Sequence, residues 1–186
     1  MLKRIVSAAV AAVIISTAVY ASGPAPDKDQ AKFEVNFLTM MIDHHYAAVK
    51  MSELCDGRVI HPELKALCDH IRTSQTAEIR QMQAWLRDWY GVTHEPELSG
   101  KARKQIEELS RTTGAAFEIA YMTMMIEHHA DAIVEGAECL QRAYHADMIN
   151  MCAKMVADQG DEIAQMRIWL CQWYQICNLN DAKKAK

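Results

Sequence analysis

The chain has 186 residues and a formal net charge of −4, with 20 lysine and arginine residues against 24 aspartate and glutamate residues. This length is enough to bury the core of one domain. The basic residues form no stripe of the kind that neutralises phosphates, so the composition excludes nucleic-acid binding as a function class.

The first 21 residues are typical of a secretory signal peptide. Lys3 and Arg4 precede an apolar run over 5–19, and a motif of small residues ends at Ala21. The run of about 15 residues is shorter than the roughly 20 that span a bilayer, although an uncleaved anchor stays open as the alternative. We expect cleavage after Ala21, export to the periplasm or beyond, and no stable membrane insertion of the mature chain.

The apolar spacing of the mature chain, 22–186, is that of amphipathic helices. Gly57 follows the first helix, Pro62 opens the second and Gly91 stops it. A linker over 91–99 leads to a short, charged helix, and no strand pattern is present. The predicted helices are 29–55, 62–90, 101–111, 117–140 and 146–174. The sequence therefore predicts a single all-α domain, a four-helix bundle built from two helical hairpins.

The two hairpins are copies of one repeat, with a spacing of 84 residues and boundaries of about 29–91 and 115–177. Residues 33–90 aligned with 117–174 give 22 identities in 58 positions without a gap. The sequence Met-Met-Ile-Asp-His-His returns as Met-Met-Ile-Glu-His-His. Positions that stay identical in both copies indicate where each copy needs the same chemistry.

Six cysteines in an exported chain predict disulfide bonds, because an oxidising compartment permits them. Four of these cysteines are repeated and flank the turn of each hairpin. The other two have no counterparts in the first repeat. We therefore predict the pairs Cys55–Cys68, Cys139–Cys152 and Cys171–Cys177.

Candidate metal ligands lie on one face of both helices in each hairpin. Met41 stands three and four residues before His44 and His45, so helical geometry brings these side chains together. An amide, a carboxylate and a methionine share a face of the second helix. The candidates are Met41, His44, His45, Met51, Gln75, Glu78 and Met82 in the first repeat, and Met125, His128, His129, Gln159, Glu162 and Met166 in the second.

Structural roles stay open for all of these residues. Methionines at helical spacing commonly fill gaps in a core, and a histidine on an apolar face is commonly a hydrogen-bonded core residue. Glu78 and Glu162 would either hold an imidazole N–H in place or lie on the helix surface. We interpret His61 and His145, which precede or open the second helix of each hairpin, as cap or turn residues.

The mixture of donors indicates copper, with Cu(I) preferred. Thioether sulfur is a soft ligand that favours Cu(I), and imidazole serves both oxidation states of copper. Calcium and magnesium require oxygen ligands, and structural zinc uses cysteine and histidine without methionine. Where thiols are oxidised to disulfides, methionine becomes the natural sulfur donor.

The combined motif resembles the DUF305 family. Its first copy covers 37–48, with Met-Met-Ile-Asp-His-His at its centre, and 75–86, where Glu78 precedes Met82; the second copy covers 117–170. The resemblance implies a ferritin-like helical bundle, export from the cytoplasm and, in some members, periplasmic copper binding and copper tolerance. The metal-facing residues that it implies are Met41, His44, His45, Met51, Met82, Met125, His128, His129 and Met166.

One of the implied metal-facing positions differs in its donor type between the two copies. The first repeat has Met51 where the second has Glu135, which replaces a soft donor with a hard one. We therefore expect unequal sites, or a degenerate second site.

The predicted function is copper buffering, trafficking or tolerance, with copper donor or acceptor proteins as partners and no reaction of the protein's own. One alternative is an interaction module that grips a partner through a methionine-rich surface. Another is a di-metal carboxylate oxidase, which requires Glu-x-x-His motifs. The chain contains no such motif, so an enzyme is not expected.

Overall fold

The computed structural model describes residues 23–182, and every regular element among them is a helix. The predicted signal peptide, 1–21, lies outside the described residues. The helices, in chain order, are α1 Lys28–Glu53, α2 Pro62–Tyr90, α3 Gly100–Ser110, α4 Gly114–Arg142, α5 Ala146–Tyr174 and α6 Leu179–Ala182. The predicted all-α class is thereby confirmed.

Helix termini agree with local capping chemistry. The Asp27 carboxylate accepts hydrogen bonds from two backbone N–H groups in the first turn of α1, at 3.0 and 2.9 Å. Pro62 occupies the first turn of α2, and Gly91 ends that helix with φ +64°. The sequence placed the start of α4 at Phe117, but the helix begins at Gly114, because the break is confined to the extended Thr113.

The helices form two antiparallel hairpins, α1 with α2 and α4 with α5, and the hairpins pack through α1 and α4. Helix α3 contacts both central helices. Disulfides join Cys55 to Cys68 and Cys139 to Cys152 across the hairpin turns, and Cys171 to Cys177 beyond α5. These are the predicted pairs, and no cysteine in the described part of the chain has a free thiol.

The core consists of two apolar clusters, and each contains residues of both repeats. One cluster combines Met41 and Met82 with Met148 and Met155 from the other hairpin. The second cluster combines Met51 with residues of α4 and α5. Neither hairpin therefore buries its apolar face without the other. No helix within residues 23–182 is long and apolar enough to cross a membrane.

A buried carboxylate from the first repeat binds the turn of the second hairpin. Glu34 accepts hydrogen bonds from the backbone N–H groups of Tyr144 and His145, at 2.6 and 2.9 Å, and from the His145 Nδ1 at 2.6 Å. The Tyr90 hydroxyl donates to the same carboxylate. The Trp89 indole stacks on the His145 ring, with the ring centroids 3.7 Å apart. We call this network a turn clasp. The molecule has a second turn clasp, which holds the turn of the first hairpin.

The second turn clasp has the same construction with the repeats exchanged. Glu118 accepts hydrogen bonds from the backbone N–H groups of Ile60 and His61, from the His61 Nδ1 and from the Tyr174 hydroxyl. Trp173 stacks on the His61 ring, with the centroids 3.8 Å apart. The interpretation of the two turn histidines as structural residues is confirmed, because both rings are used to hold a turn.

The turn clasps also determine the protonation of their carboxyl groups. Burial alone raises the pKa of Glu34 and Glu118, but hydrogen bonds from tyrosine, histidine and the backbone outweigh it. The pKa of each carboxyl group is therefore below its ordinary value. Both carboxyl groups are fully buried. Their negative charge inside the protein is stabilised by the hydrogen bonds from tyrosine, histidine and the backbone.

Candidate metal centre

The two histidine pairs lie at the middle of α1 and α4, the helices through which the hairpins pack. Consecutive helical residues point about 100° apart, so the members of a pair face different neighbours. His44 and His128 face each other between the helices. His45 and His129 each face the second helix of their own hairpin.

His44 and His128 form a close ring pair, which we call the imidazole pair. The ring centroids are 3.6 Å apart and the planes are inclined by 34°. Both nitrogens of His44 and the Nδ1 of His128 are buried without a hydrogen-bond partner. Buried polar atoms are rarely left unpaired in proteins, so these nitrogens are candidates for binding something that the described chain does not supply.

The imidazole pair is held neutral. Burial, followed by the proximity of His45 and His129, lowers the pKa of His44 to about 3. Burial, followed by the proximity of His44, places the pKa of His128 well below its usual value. Metal ions bind the neutral form of imidazole, so both rings have lone pairs available at neutral pH.

His45 and His129 are oriented by carboxylates. The His45 Nε2 donates to Glu78 at 2.9 Å, and the His129 Nε2 donates to Glu162 at 2.7 Å. The Nδ1 atom of each ring is buried and unpartnered. A carboxylate that holds one ring nitrogen fixes the direction of the other, which is the usual arrangement around a metal-binding histidine. The structure shows the hydrogen bonds that the orienting role requires; metal binding by the two rings that they hold stays a prediction.

The candidate methionines are buried, but they are divided between the two clusters. Met41 and Met82 belong to one cluster, whereas Met51 belongs to the cluster of Met125 and Met166. The structure therefore groups Met51 with the second repeat, whereas the sequence placed it with its own. Glu135, at the equivalent position, lines a shallow surface pocket beside Phe33 and Met40.

Sequence reasoning missed the pairing of His44 with His128 and the cleft that leads to it. The cleft has a volume of about 380 Å³ and lies between α1, α3 and α4. Local spacing relates residues within one helix, whereas this pairing depends on how two hairpins dock. The duplicated motif was the available signal, because it places a histidine pair at the same position of both central helices.

Within residues 23–182, no group of three or more histidine, cysteine, aspartate and glutamate side chains is arranged to hold a metal ion. The candidate centre is instead the imidazole pair, flanked by two oriented histidines and by methionines on the same helices. This donor set is nitrogen with sulfur, which suits a soft ion.

Solved structures with a similar fold include copper-bound proteins. CopM in its Cu(I)-bound form has a TM-score of 0.69 and 27% identity, covering 76% of this chain and 97% of its own. CopM in its Cu(II)-bound form has the same TM-score and coverage, at 25% identity. A DUF305 fragment from Deinococcus radiodurans has a TM-score of 0.67 at 24% identity, covering 80% of this chain and 97% of its own, and it shows the fold alone.

No curated protein matches the chain. The family model described as "Domain of unknown function (DUF305)" matches residues 34–170, which span both repeats and include all four histidines of the candidate centre. The chain belongs to the DUF305 family.

Proposed function

We propose that the protein is an exported copper-binding protein that holds Cu(I) between its two repeats. Its role is copper buffering, trafficking or tolerance, without a reaction of its own. The observation that carries this proposal is the imidazole pair, in which the rings of His44 and His128 are adjacent and three of their four nitrogens are buried without a hydrogen-bond partner. The CopM structures with Cu(I), Cu(II) and Ag support copper as the class of ligand.

The residues present fit a soft ion. Three of the four ring nitrogens of the imidazole pair are buried without a hydrogen-bond partner, so an ion bound there would satisfy polar atoms that the chain leaves unpaired. Met41 and Met125 stand three residues before His44 and His128, a helical spacing that supports a thioether donor on the same face as each imidazole. Bound copper would supply the charge that satisfies the buried lone pairs.

The proposal is one metal centre formed by both repeats, and not a separate centre in each repeat. His44 comes from the first repeat and His128 from the second, so an ion bound by both requires the complete chain. The rings of His45 and His129 lie next to this centre, with their centroids 6.2 Å from those of His44 and His128, and their Nδ1 atoms are unpartnered. Met51, Met82 and Met166, buried in the surrounding clusters, are proposed as further thioether donors or as packing around it.

Export is proposed from the sequence of residues 1–21, with release to the periplasm or beyond. Copper donor or acceptor proteins of that compartment are the proposed partners. The alternative of a methionine-rich interaction surface is not favoured, because nine of the eleven methionines within residues 23–182 are buried and the other two are half-buried.

Anaerobic titration with Cu(I) against a competing chelator tests the proposal. We expect His44→Ala and His128→Ala, made separately, each to weaken the same binding event by about 100-fold, equivalent to roughly 2.7 kcal/mol. Two separate sites would instead lose one copper equivalent in each variant and keep the other. Glu95→Ala is the control, because this residue is exposed in the linker and does not line the cleft. Unchanged Cu(I) binding in both variants would refute the proposal.

A further inference from the structure

Helix α3 makes the surroundings of the imidazole pair asymmetric. Leu109 and Ile106 on α3 pack in the cluster that contains Met124, and Met124 is only 7% exposed. The equivalent residue of the first repeat, Met40, is half-buried and lines the cleft. Two methionines in the same position of a duplicated motif therefore have different surroundings, and only Met40 is accessible.

The cleft beside Met40 leads to the imidazole pair. His44 and His128 line it, and Asp43 and Asp131 contribute carboxylates. Lys101 lies 3.8 Å from the Asp131 carboxylate. The cleft therefore connects solvent with the side chains of the imidazole pair, whose unpartnered nitrogens lie buried behind its surface. The two carboxylates of the cleft carry more charge than its one lysine.

The linker that precedes α3 is attached beside the cleft. The Asp43 carboxylate accepts hydrogen bonds from the His94 Nε2 and from the backbone N–H of Glu97, both at 2.8 Å. Gln83 on α2 donates to the His94 backbone carbonyl at 2.9 Å. These bonds hold the linker against the first repeat, on the side where Met40 remains open.

We infer that this cleft is the route by which a soft monovalent metal ion, Cu(I) or Ag(I), reaches the imidazole pair, and that the Met40 thioether binds the ion first. The inference rests on the proposed function and adds the direction of access and the capturing residue. Thioether sulfur needs no deprotonation to bind a soft ion. The excess of carboxylate charge raises the local concentration of cations.

A capturing residue and a resident ligand have different kinetic consequences. A residue that acts only on the route lowers the rates of arrival and departure by the same factor, because both directions pass the same barrier. The affinity is then unchanged. A resident ligand stabilises the bound state, so its loss lowers the affinity and accelerates departure. Rates and affinity measured together distinguish the two roles.

The test compares Met40→Leu with Met124→Leu in the full mature chain. Leucine keeps an apolar side chain of similar size but has no sulfur donor. Cu(I) is supplied anaerobically from its coloured complex with a bicinchoninate chelator, in the range where the transfer rate is proportional to protein concentration. We expect Met40→Leu to slow transfer in both directions by about tenfold, with the affinity within about twofold of the parent.

Met124→Leu is the matched control, because Met124 is buried and does not line the cleft. We expect its transfer rates to equal those of the parent. Equal rates in the parent and Met40→Leu, with Cu(I) still bound, would overturn the inference and leave the proposed function intact. Weaker affinity with faster departure in Met40→Leu would make Met40 a resident ligand and overturn the inference as well. A parent protein that binds no Cu(I) would overturn the proposed function itself.

A second variant tests the cleft without removing a donor. Ala102 is 6% exposed and lines the cleft from α3, so Ala102→Phe would narrow it. We expect the same slowing in both directions as for Met40→Leu, with the affinity unchanged. Circular dichroism verifies that the variant is folded; if it is not, the comparison of Met40→Leu with Met124→Leu decides. A folded Ala102→Phe variant with parental rates would contradict the proposed route.

Discussion

At the scale of single residues, adjacent histidines have separate tasks. His44 belongs to the imidazole pair, whereas the His45 Nε2 is held by Glu78. The same division appears in the second repeat, where Glu162 holds His129. A neutral ring that donates from Nε2 presents its lone pair at Nδ1. The carboxylates therefore determine which nitrogen of the oriented histidines is free to bind a metal ion.

We expect Glu78→Ala to weaken Cu(I) binding by about tenfold, because the His45 ring loses the partner that fixes its tautomer and direction. Glu78→Gln should have a smaller effect, since an amide oxygen still accepts the Nε2 hydrogen bond. Chelator competition measures the affinity, and thermal unfolding measures any separate loss of stability. Glu95→Ala, at an exposed linker position, is the control. Parental affinity in folded Glu78→Ala protein would show that His45 takes no part in binding.

The sequence predicted the components of the candidate centre but not their assembly. The spacing of Met41, His44 and His45 follows from helical geometry and is readable along one helix. The contact between His44 and His128 joins residues 84 positions apart, and only the docking of α1 on α4 creates it. For the same reason, the placement of Met51 with Met125 could not be read from either repeat alone.

At the scale of helices, the sequence predicted most boundaries because caps are local. Gly91 and Gln175 are equivalent in the two repeats, and each ends its helix in the left-handed conformation, with φ of +64° and +59°. Glycine has no Cβ and adopts this conformation without strain, whereas a glutamine residue does not. The two repeats therefore have the same left-handed cap, although only the first has the residue type that favours it.

We expect Gln175→Gly to increase the free energy of unfolding by about 0.5 to 1 kcal/mol, because it removes the strain of a side chain at positive φ. The reciprocal change, Gly91→Gln, should decrease it by about 1 kcal/mol. A Cβ at Gly91 would meet no atom within 4 Å, so the effect is one of backbone conformation and not of packing. Denaturant unfolding measures both, and effects of the same sign would contradict this explanation.

At the scale of the whole molecule, the two repeats are interdependent. Both apolar clusters contain residues of both hairpins, and each turn clasp brings a carboxylate of one repeat to the turn of the other. The imidazole pair has the same property, with one ring from each repeat. The contacts that hold the hairpins together therefore also position the candidate centre, so the proposed metal binding requires the complete bundle.

The turn clasps predict how stability depends on pH. The pKa of Glu34 and of Glu118 is lowered in the folded protein, so the folded state favours the charged form. Their contribution is present above the ordinary glutamate pKa, near 4.5, and is lost as pH falls through it towards the lower pKa of the folded state. We expect Glu34→Gln with Glu118→Gln to reduce stability at pH 7 by about 1 to 3 kcal/mol per site.

The same double variant should have a flatter stability profile than the parent below about pH 5, because it no longer has these two carboxylates to protonate. Denaturant midpoints at pH 7, 5 and 4 provide the measurement. Glu95→Gln is the control, since an exposed glutamate without a buried network should leave the profile unchanged. If the double variant is as stable as the parent at pH 7, or loses as much stability as the parent between pH 5 and 4, the turn clasps do not hold the hairpins together.

Cu(I) binding is measured in parallel, and we expect it to weaken only under conditions where the bundle itself unfolds.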